Sequence, residues 1–205
     1  MKSSVLMAAL SLPLLALPFG AHAQAQPAPA PLTASALRVG DPAPAFRAQD
    51  ASGQSVELRQ LLKKGPVVLY FYRGQWCPFC NKQLSQLQDS LQLLTAKGAQ
   101  VVVVSPETQE NIGQTVTKTK ASFPIIHDQD FAIMKAYKAA FTVDDATASK
   151  YAGFGLDLKK ANGADTNVLP VPATYIIGQN GKIKFAYFNS DYRRRVSVKQ
   201  VAQAL

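Results

Sequence analysis

Cys77 and Cys80 are the two cysteines of this chain, three residues apart in RGQWCPFCNKQL. A thiol pair at that spacing can serve as a small disulfide staple, as half of a metal site, or as a redox couple acting on peroxides or on other disulfides. The staple gains little, because chain-entropy stabilisation grows with the length of the loop closed. Zinc needs two further ligands, and after the first 23 residues the chain holds no other cysteine and one histidine, His127. A Cys-His hydrolase has only that histidine to use. A copper-binding role for Cys77, Cys80 and His127 stays open, since thiolate and imidazole suit copper. Otherwise no metal and no cofactor is expected.

A redox pair needs a scaffold that favours thiolate. The run PVVLYFY at 66–72 is continuous, β-branched and aromatic, as in a strand buried on both faces, and it ends directly before the motif. From Pro78 the pattern turns helical, with Leu84, Leu87, Leu91 and Leu94 on one stripe and a stop at Lys97-Gly98. Cys77 therefore stands at a helix start, where the helix dipole and unpaired N–H groups favour an anion. Cys77 is the expected exposed, low-pKa nucleophile, and Cys80, one turn further in and more buried, the resolving cysteine. Arg73 can add positive potential or be a solvated loop charge. Trp76 offers a flat apolar surface for packing, for shielding the pair or for receiving a partner. Much later, Val171-Pro172 precedes the strand-like ATYII, where a proline must sit at the strand start or in a special turn. A cis bond there would turn the Val171 backbone toward Cys77 as part of a substrate groove; an ordinary trans loop proline is the alternative.

The remaining elements follow from periodicity. Two short strands flank Ser52-Gly53; QVVVVS at 100–105 is a second buried strand; the polar stretch from Glu107 to Lys120 fits a surface helix. FPIIHD supplies a short strand, QDFAIMKAYKAA a helix, and the less patterned 141–170 an excursion near the site. PATYIIG, a turn at Gln179-Asn180-Gly181, KIKFAYF and a helix from about Ser197 complete the chain. This order predicts an α/β, thioredoxin-like fold: a mixed central sheet with flanking helices and an N-terminal extension.

The segments VGDPAPAFRAQDASGQSVEL, GPVVLYFYRGQWCPFCNKQL, FPIIHDQDFAIMKAY and VPATYIIGQNGKIKFAYF resemble the peroxiredoxin-like branch of the AhpC/TSA family, within the thioredoxin superfamily. The resemblance covers nearly everything from Leu37 onward and implies thiol-based oxidoreductase activity. The site departs from the family's P-x-x-x-T-x-x-C: counting back from Cys77, Gly74 stands at the Thr position and Tyr70 at the Pro position, whereas matching on FY implies a shorter loop. Pro172 stands where peroxiredoxins carry an arginine before the late strand. By contrast, W-C-x-x-C with a late proline resembles thioredoxins and glutaredoxins. The resemblance thus implies thiol-disulfide exchange with a protein partner, or alternatively a thiol peroxidase in which a Cys77 sulfenic acid, formed by hydroperoxide, is resolved by Cys80 and regenerated by an external thiol reductant.

The first residues carry Lys2, an apolar run from Val5 to Leu17 and a small-x-small site at Ala21-His22-Ala23, the pattern of a secretory signal peptide spanning 1–23. The expected organisation is that signal, a Pro/Ala-rich leader at 24–36 and one domain at 37–205, exported to an oxidising compartment such as a periplasm, with no membrane span after cleavage. The net charge of +9 falls by one on cleavage. Its one dense cluster, Arg193-Arg194-Arg195, is too short for a nucleic-acid surface.

Overall fold

The computed structural model describes residues 34–205; the expected signal peptide and the leader up to residue 33 lie outside the described residues. The chain enters through an antiparallel hairpin, β1 (Arg47–Gln49) and β2 (Ser55–Glu57). Its turn is held by the Asp50 carboxylate, which accepts from the N–H groups of Ser52 and Gln54, and Gly53 takes the left-handed conformation the turn requires. Helix α1 (Leu58–Lys64) leads to β3 (Val67–Phe71), in which every residue is buried. Then come α2 (Pro78–Asp89), α3 (Gln92–Thr95), β4 (Gln100–Ser105), α4 (Gln109–Thr119) and β5 (Ile125–His127). An excursion follows: α5 (Ala132–Ala136), β6 (Ala140–Thr142), α6 (Asp145–Gly153), α7 (Leu158–Asn162) and β7 (Val168–Pro170), with β6 and β7 paired antiparallel. The chain ends in β8 (Ala173–Ile177), β9 (Ile183–Phe188) and α8 (Val198–Ala204).

The central sheet has the order β5-β4-β3-β8-β9, with β3 parallel to β4 and antiparallel to β8. It is the expected mixed sheet of a thioredoxin-like fold. Alternation along β3 divides the core. Val67, Leu69 and Phe71 pack with Tyr137 and Tyr175 on one face, while Val68 and Tyr70 pack with Leu84, Leu87, Leu94 and both cysteines on the other.

Departures from the sequence pattern have local causes. The leucine stripe from residue 84 to 94 is not one helix: Ser90 leaves helical geometry at φ −112°, ψ 14°, and α3 restarts beyond it. Helix α5 is shorter than its pattern because Lys138 adopts φ 56° and redirects the chain into β6. The unpatterned 141–170 contains two helices that periodicity does not reveal; α6 buries no side chain and starts on its cap, Asp144 accepting from the Thr147 N–H. Glu107, expected at the start of a surface helix, is wholly buried, and α4 begins after it with Thr108 as cap.

Candidate active site

At the end of β3 the Tyr72 N–H still bonds to Val104, and the next four residues carry the chain away from the sheet to Cys77, the N-cap of α2. Pro78 occupies the first turn, where its missing N–H is no loss. The N–H groups of Cys80 and Asn81 bond back to the Cys77 carbonyl at 3.0 and 3.1 Å. This winding brings the two sulfurs to 2.7 Å, both as free thiols. The expected exposure of Cys77 is not found: Cys77 is 1% and Cys80 0% exposed. The first turn of α2 directs both side chains onto the sheet, among Tyr70, Tyr72 and Leu84.

The electrostatics also redistribute the expected roles. Burial acts against a Cys80 thiolate, but the hydrogen bond from Cys77, the Arg73 backbone and the Arg195 guanidinium together bring this thiol below its ordinary value. The Arg195 Nη2 lies 3.7 Å from the Cys80 sulfur, and its Nε donates to Gln83 at 2.9 Å, which anchors it there. The hydrogen bond to Cys80 and then burial push the Cys77 thiol up. The two cysteines titrate as a unit, and in this closed arrangement the shared negative charge rests on Cys80.

Behind the motif stands Glu107, two residues beyond the end of β4, accepting from the Gln75 N–H at 2.7 Å. Burial is the main cause that pushes its carboxyl up to about 8, with the charge of Cys80 adding to it. Its other oxygen and the Trp76 Nε1 are buried without a hydrogen-bond partner among the described residues. Both press on Gly74. A Cβ at that position would lie 2.4 Å from Trp76 Nε1 and 2.6 Å from Glu107 Oε1. Counted back from Cys77, the position that the family motif gives to threonine is thus filled by two side-chain ends that must shift to admit even a methyl group.

Arg73 is not a solvated loop charge. It is 3% exposed, donates to the Tyr151 hydroxyl, and lies over the rings of Trp76 and Tyr192 at 4.9 and 4.4 Å. Val171 and Pro172 join it in the wall of a cavity of about 300 Å³. Pro172 stands directly before β8, as expected, and Ala173 next to it pairs with Phe71 at the end of β3. The Val171–Pro172 bond is trans, as there is no cis peptide among the described residues. The Val171 N–H is already bonded to the Ala139 carbonyl.

Trp76 therefore packs in the cluster that holds both cysteines, Arg73 acts on the Cys77 thiol through its charge, Val171 and Pro172 share a cavity wall with Arg73, and His127 lines a different pocket. Among the described residues no three His, Cys, Asp or Glu side chains converge as metal ligands, which counts against the copper-binding alternative. Pattern reasoning passed over four residues: Glu107, Arg195, Tyr151 and Tyr192. Glu107 had a signal, because it follows the carboxyl end of the strand adjacent to β3, where open α/β sheets put their chemistry.

The model of the AhpC/TSA family matches residues 39–186. A putative peroxiredoxin of Mycobacterium tuberculosis is 29% identical over 153 residues, which cover 75% of this chain and 86% of that protein. The thiol-disulfide oxidoreductase ResA of Halalkalibacterium halodurans is 31% identical over 104 residues, 50% of this chain and 58% of that one. In fold, the crystal structure of peroxidoxin BcpB from Mycobacterium tuberculosis superposes with a TM-score of 0.63 at 17% identity, covering 82% of this chain and 96% of that one. With the cysteine pair at the carboxyl end of β3, these findings identify the chain as a member of the AhpC/TSA family, in its peroxiredoxin-like branch, and as a thiol-based oxidoreductase.

Proposed function

We propose that this protein is an exported enzyme, working in a periplasm, that cycles the Cys77–Cys80 dithiol and disulfide in exchange with protein partners. One observation carries the reading: with the motif counted back from Cys77, the threonine position is Gly74, and Trp76 and Glu107 fill the space that a side chain there would take. Pro172, in place of the late arginine, supports it from the other side.

The residues suggest a sequence of proton and electron movements. In the resting dithiol the charge sits on Cys80, held by Arg195. When a partner disulfide arrives, the surface around Cys77 opens, and the Cys77 proton passes to Cys80 across the 2.7 Å contact. The Cys77 thiolate attacks one partner sulfur, a mixed disulfide forms, and the partner's other sulfur leaves as a thiolate that takes up a proton. Cys80 then gives its proton to solvent, and the Arg195 guanidinium beside it favours the thiolate. The Cys80 thiolate attacks the Cys77 sulfur and releases the second partner thiol. The partner gains two electrons and two protons, and the Cys77–Cys80 disulfide remains for an external thiol reductant, or the whole cycle runs in reverse.

Two measurements test this. The Cys80→Ser variant, expressed in a periplasm, should accumulate mixed disulfides with protein partners through Cys77. The reduced wild type mixed rapidly with hydrogen peroxide or an organic hydroperoxide should oxidise no faster than a free thiol. Fast peroxide oxidation with no trapped partners would replace this reading with the thiol peroxidase one, which uses the same two cysteines and which the peroxiredoxin relatives favour.

A further inference from the structure

Among the described residues no carboxylate pairs with Arg73, whose charge is felt by the Cys77 thiol. Among the described residues the ion pairs join Asp191 to Arg193 and Arg194, at the surface. Arg73 is 3% exposed, yet its partners are the Tyr151 hydroxyl and three aromatic rings, and its buried Nε has no hydrogen-bond partner. Ring faces attract a cation but do not replace an anion. A guanidinium taken out of water is expected to be paired, and an unpaired one is a place for a ligand.

The same side chain forms part of the wall of the 300 Å³ cavity, together with Phe141, Tyr151, Val171, Pro172 and Tyr192. That volume lies at the lower end of the range, about 300 to 1,000 Å³, of small-molecule sites. Apart from Arg73 and the Tyr151 hydroxyl, the wall is mainly rings, prolines and aliphatic carbon. The elements that bring these groups together are separate in sequence: the loop after β3, the β6–α6 excursion, the approach to β8 and the segment after β9.

We propose that this cavity binds a small carboxylate with an apolar body, the carboxylate pairing with Arg73 and the body lying against Phe141, Val171, Pro172 and Tyr192. The planar fork of a guanidinium matches a carboxylate. A phosphate fits less well, because a single arginine in an aromatic wall offers too few donors for it. The cavity shares Arg73 with the cysteine motif, but the inference stands apart from disulfide exchange: binding is read without turnover, so failure of one leaves the other intact.

Trp76, the only tryptophan of the chain, lies 4.9 Å from the Arg73 guanidinium and reports on occupancy. The reduced full-length protein is titrated with octanoate, octanol and acetate, below micelle formation, while tryptophan fluorescence is followed. Octanoate should give a saturable change with an affinity at least about tenfold above that of octanol or acetate, as a charge-assisted contact adds to apolar burial. In Arg73→Gln the preference for octanoate over octanol should vanish. Because Arg73 is buried and its loss can unfold the site, a second variant, Ser190→Phe at the exposed rim of the cavity, should weaken octanoate by about fivefold or more through occlusion alone. Equal binding of octanoate and octanol, no saturable change, or unaltered octanoate binding by a folded variant of either kind would overturn the proposal.

Discussion

On one face of the central sheet, Tyr137 donates to the Pro44 carbonyl at 2.9 Å, and the Tyr175 hydroxyl accepts from the Leu37 N–H at 3.3 Å. The rings of both pack on Phe71, with centroids 5.5 and 6.2 Å away. On the other face and along the cysteine motif that leads off it, Tyr70 Oη, Arg73 Nε, Trp76 Nε1, Asn81 Oδ1 and Glu107 Oε1 are buried without a partner among the described residues. They are five of the seven such atoms among the described residues, and all belong to β3, the motif and its approach, or the turn after β4. Buried polar groups are paired almost everywhere in folded proteins. The first face obeys that rule and serves stability. The second breaks it around two thiols, where unpaired donors, a raised carboxyl and a lowered thiol are the means by which a site is tuned. Strands with a period of two allow one sheet to hold both environments, because neighbouring residues such as Tyr70 and Phe71 point into different ones.

If the faces are separate, removing Phe71 should touch stability alone. Phe71→Ala deletes a ring that is 1% exposed and should cost about 3 to 5 kcal/mol in denaturant unfolding. The thiolate titration of the cysteine pair, followed by ultraviolet absorbance, should not move. A variant that remains folded yet titrates differently would show that the apolar face sets the chemistry too, and the comparison would break there.

Glu107→Gln should do the reverse, acting through pH. The native Glu107 carboxyl is raised to about 8, whereas in the unfolded chain it titrates near the ordinary value of about 4.3. Between those values the folded state holds the proton and the unfolded state does not, so stability is full below the lower value and declines as pH rises through the upper one. The slope is at most about 1.4 kcal/mol per pH unit. Glutamine keeps an acceptor for the Gln75 N–H and cannot ionise. It should remove this decline and leave the variant about 2 to 3 kcal/mol more stable than the wild type near pH 8, with less difference near pH 5. Parallel stability curves from pH 5 to 8 would mean that Glu107 is charged in the folded protein.

How far these environments can be read from sequence differs between them. The apolar face announces itself: β3 and β4 are continuous β-branched runs, and β8 is marked by Ala173 to Ile177 after Pro172. The position of Cys77 at a strand-to-helix junction is equally legible, since Pro78 and the leucine stripe mark the helix start. The charge distribution is not. A polar run such as Glu107 to Lys120 has the composition of a surface helix, and only the packing of Trp76 and Gly74 over Glu107 makes its first residue a buried acid. The excursion that supplies Phe141 and Tyr151 has no apolar stripe to betray it, because no residue of α6 is fully buried and the helix is started by its cap. Arg73 and Arg195 look like solvated charges until the fold carries aromatic rings to one and a thiol to the other.

The cluster Arg193-Arg194-Arg195 offers the finest test, because it holds a site residue and surface residues side by side. Arg193 and Arg194 pair with Asp191 and are 64% and 75% exposed in their side chains, so screening leaves them little effect. Arg195 is half-buried against Gln83 and Cys80. Removing its charge withdraws a cation from the sulfur that carries the thiolate, so the first ionisation of the pair should rise in Arg195→Gln by about one pH unit. Alkylation by a small uncharged reagent near neutral pH should slow accordingly. Arg195→Lys should recover part of the shift, as a point charge does without the planar fork, while Arg194→Gln should leave the titration where it was. An equal response to Arg194→Gln and Arg195→Gln would mean that the pair senses only the general positive field of the segment. The 3.7 Å contact with Cys80 would then have no special part in holding the thiolate.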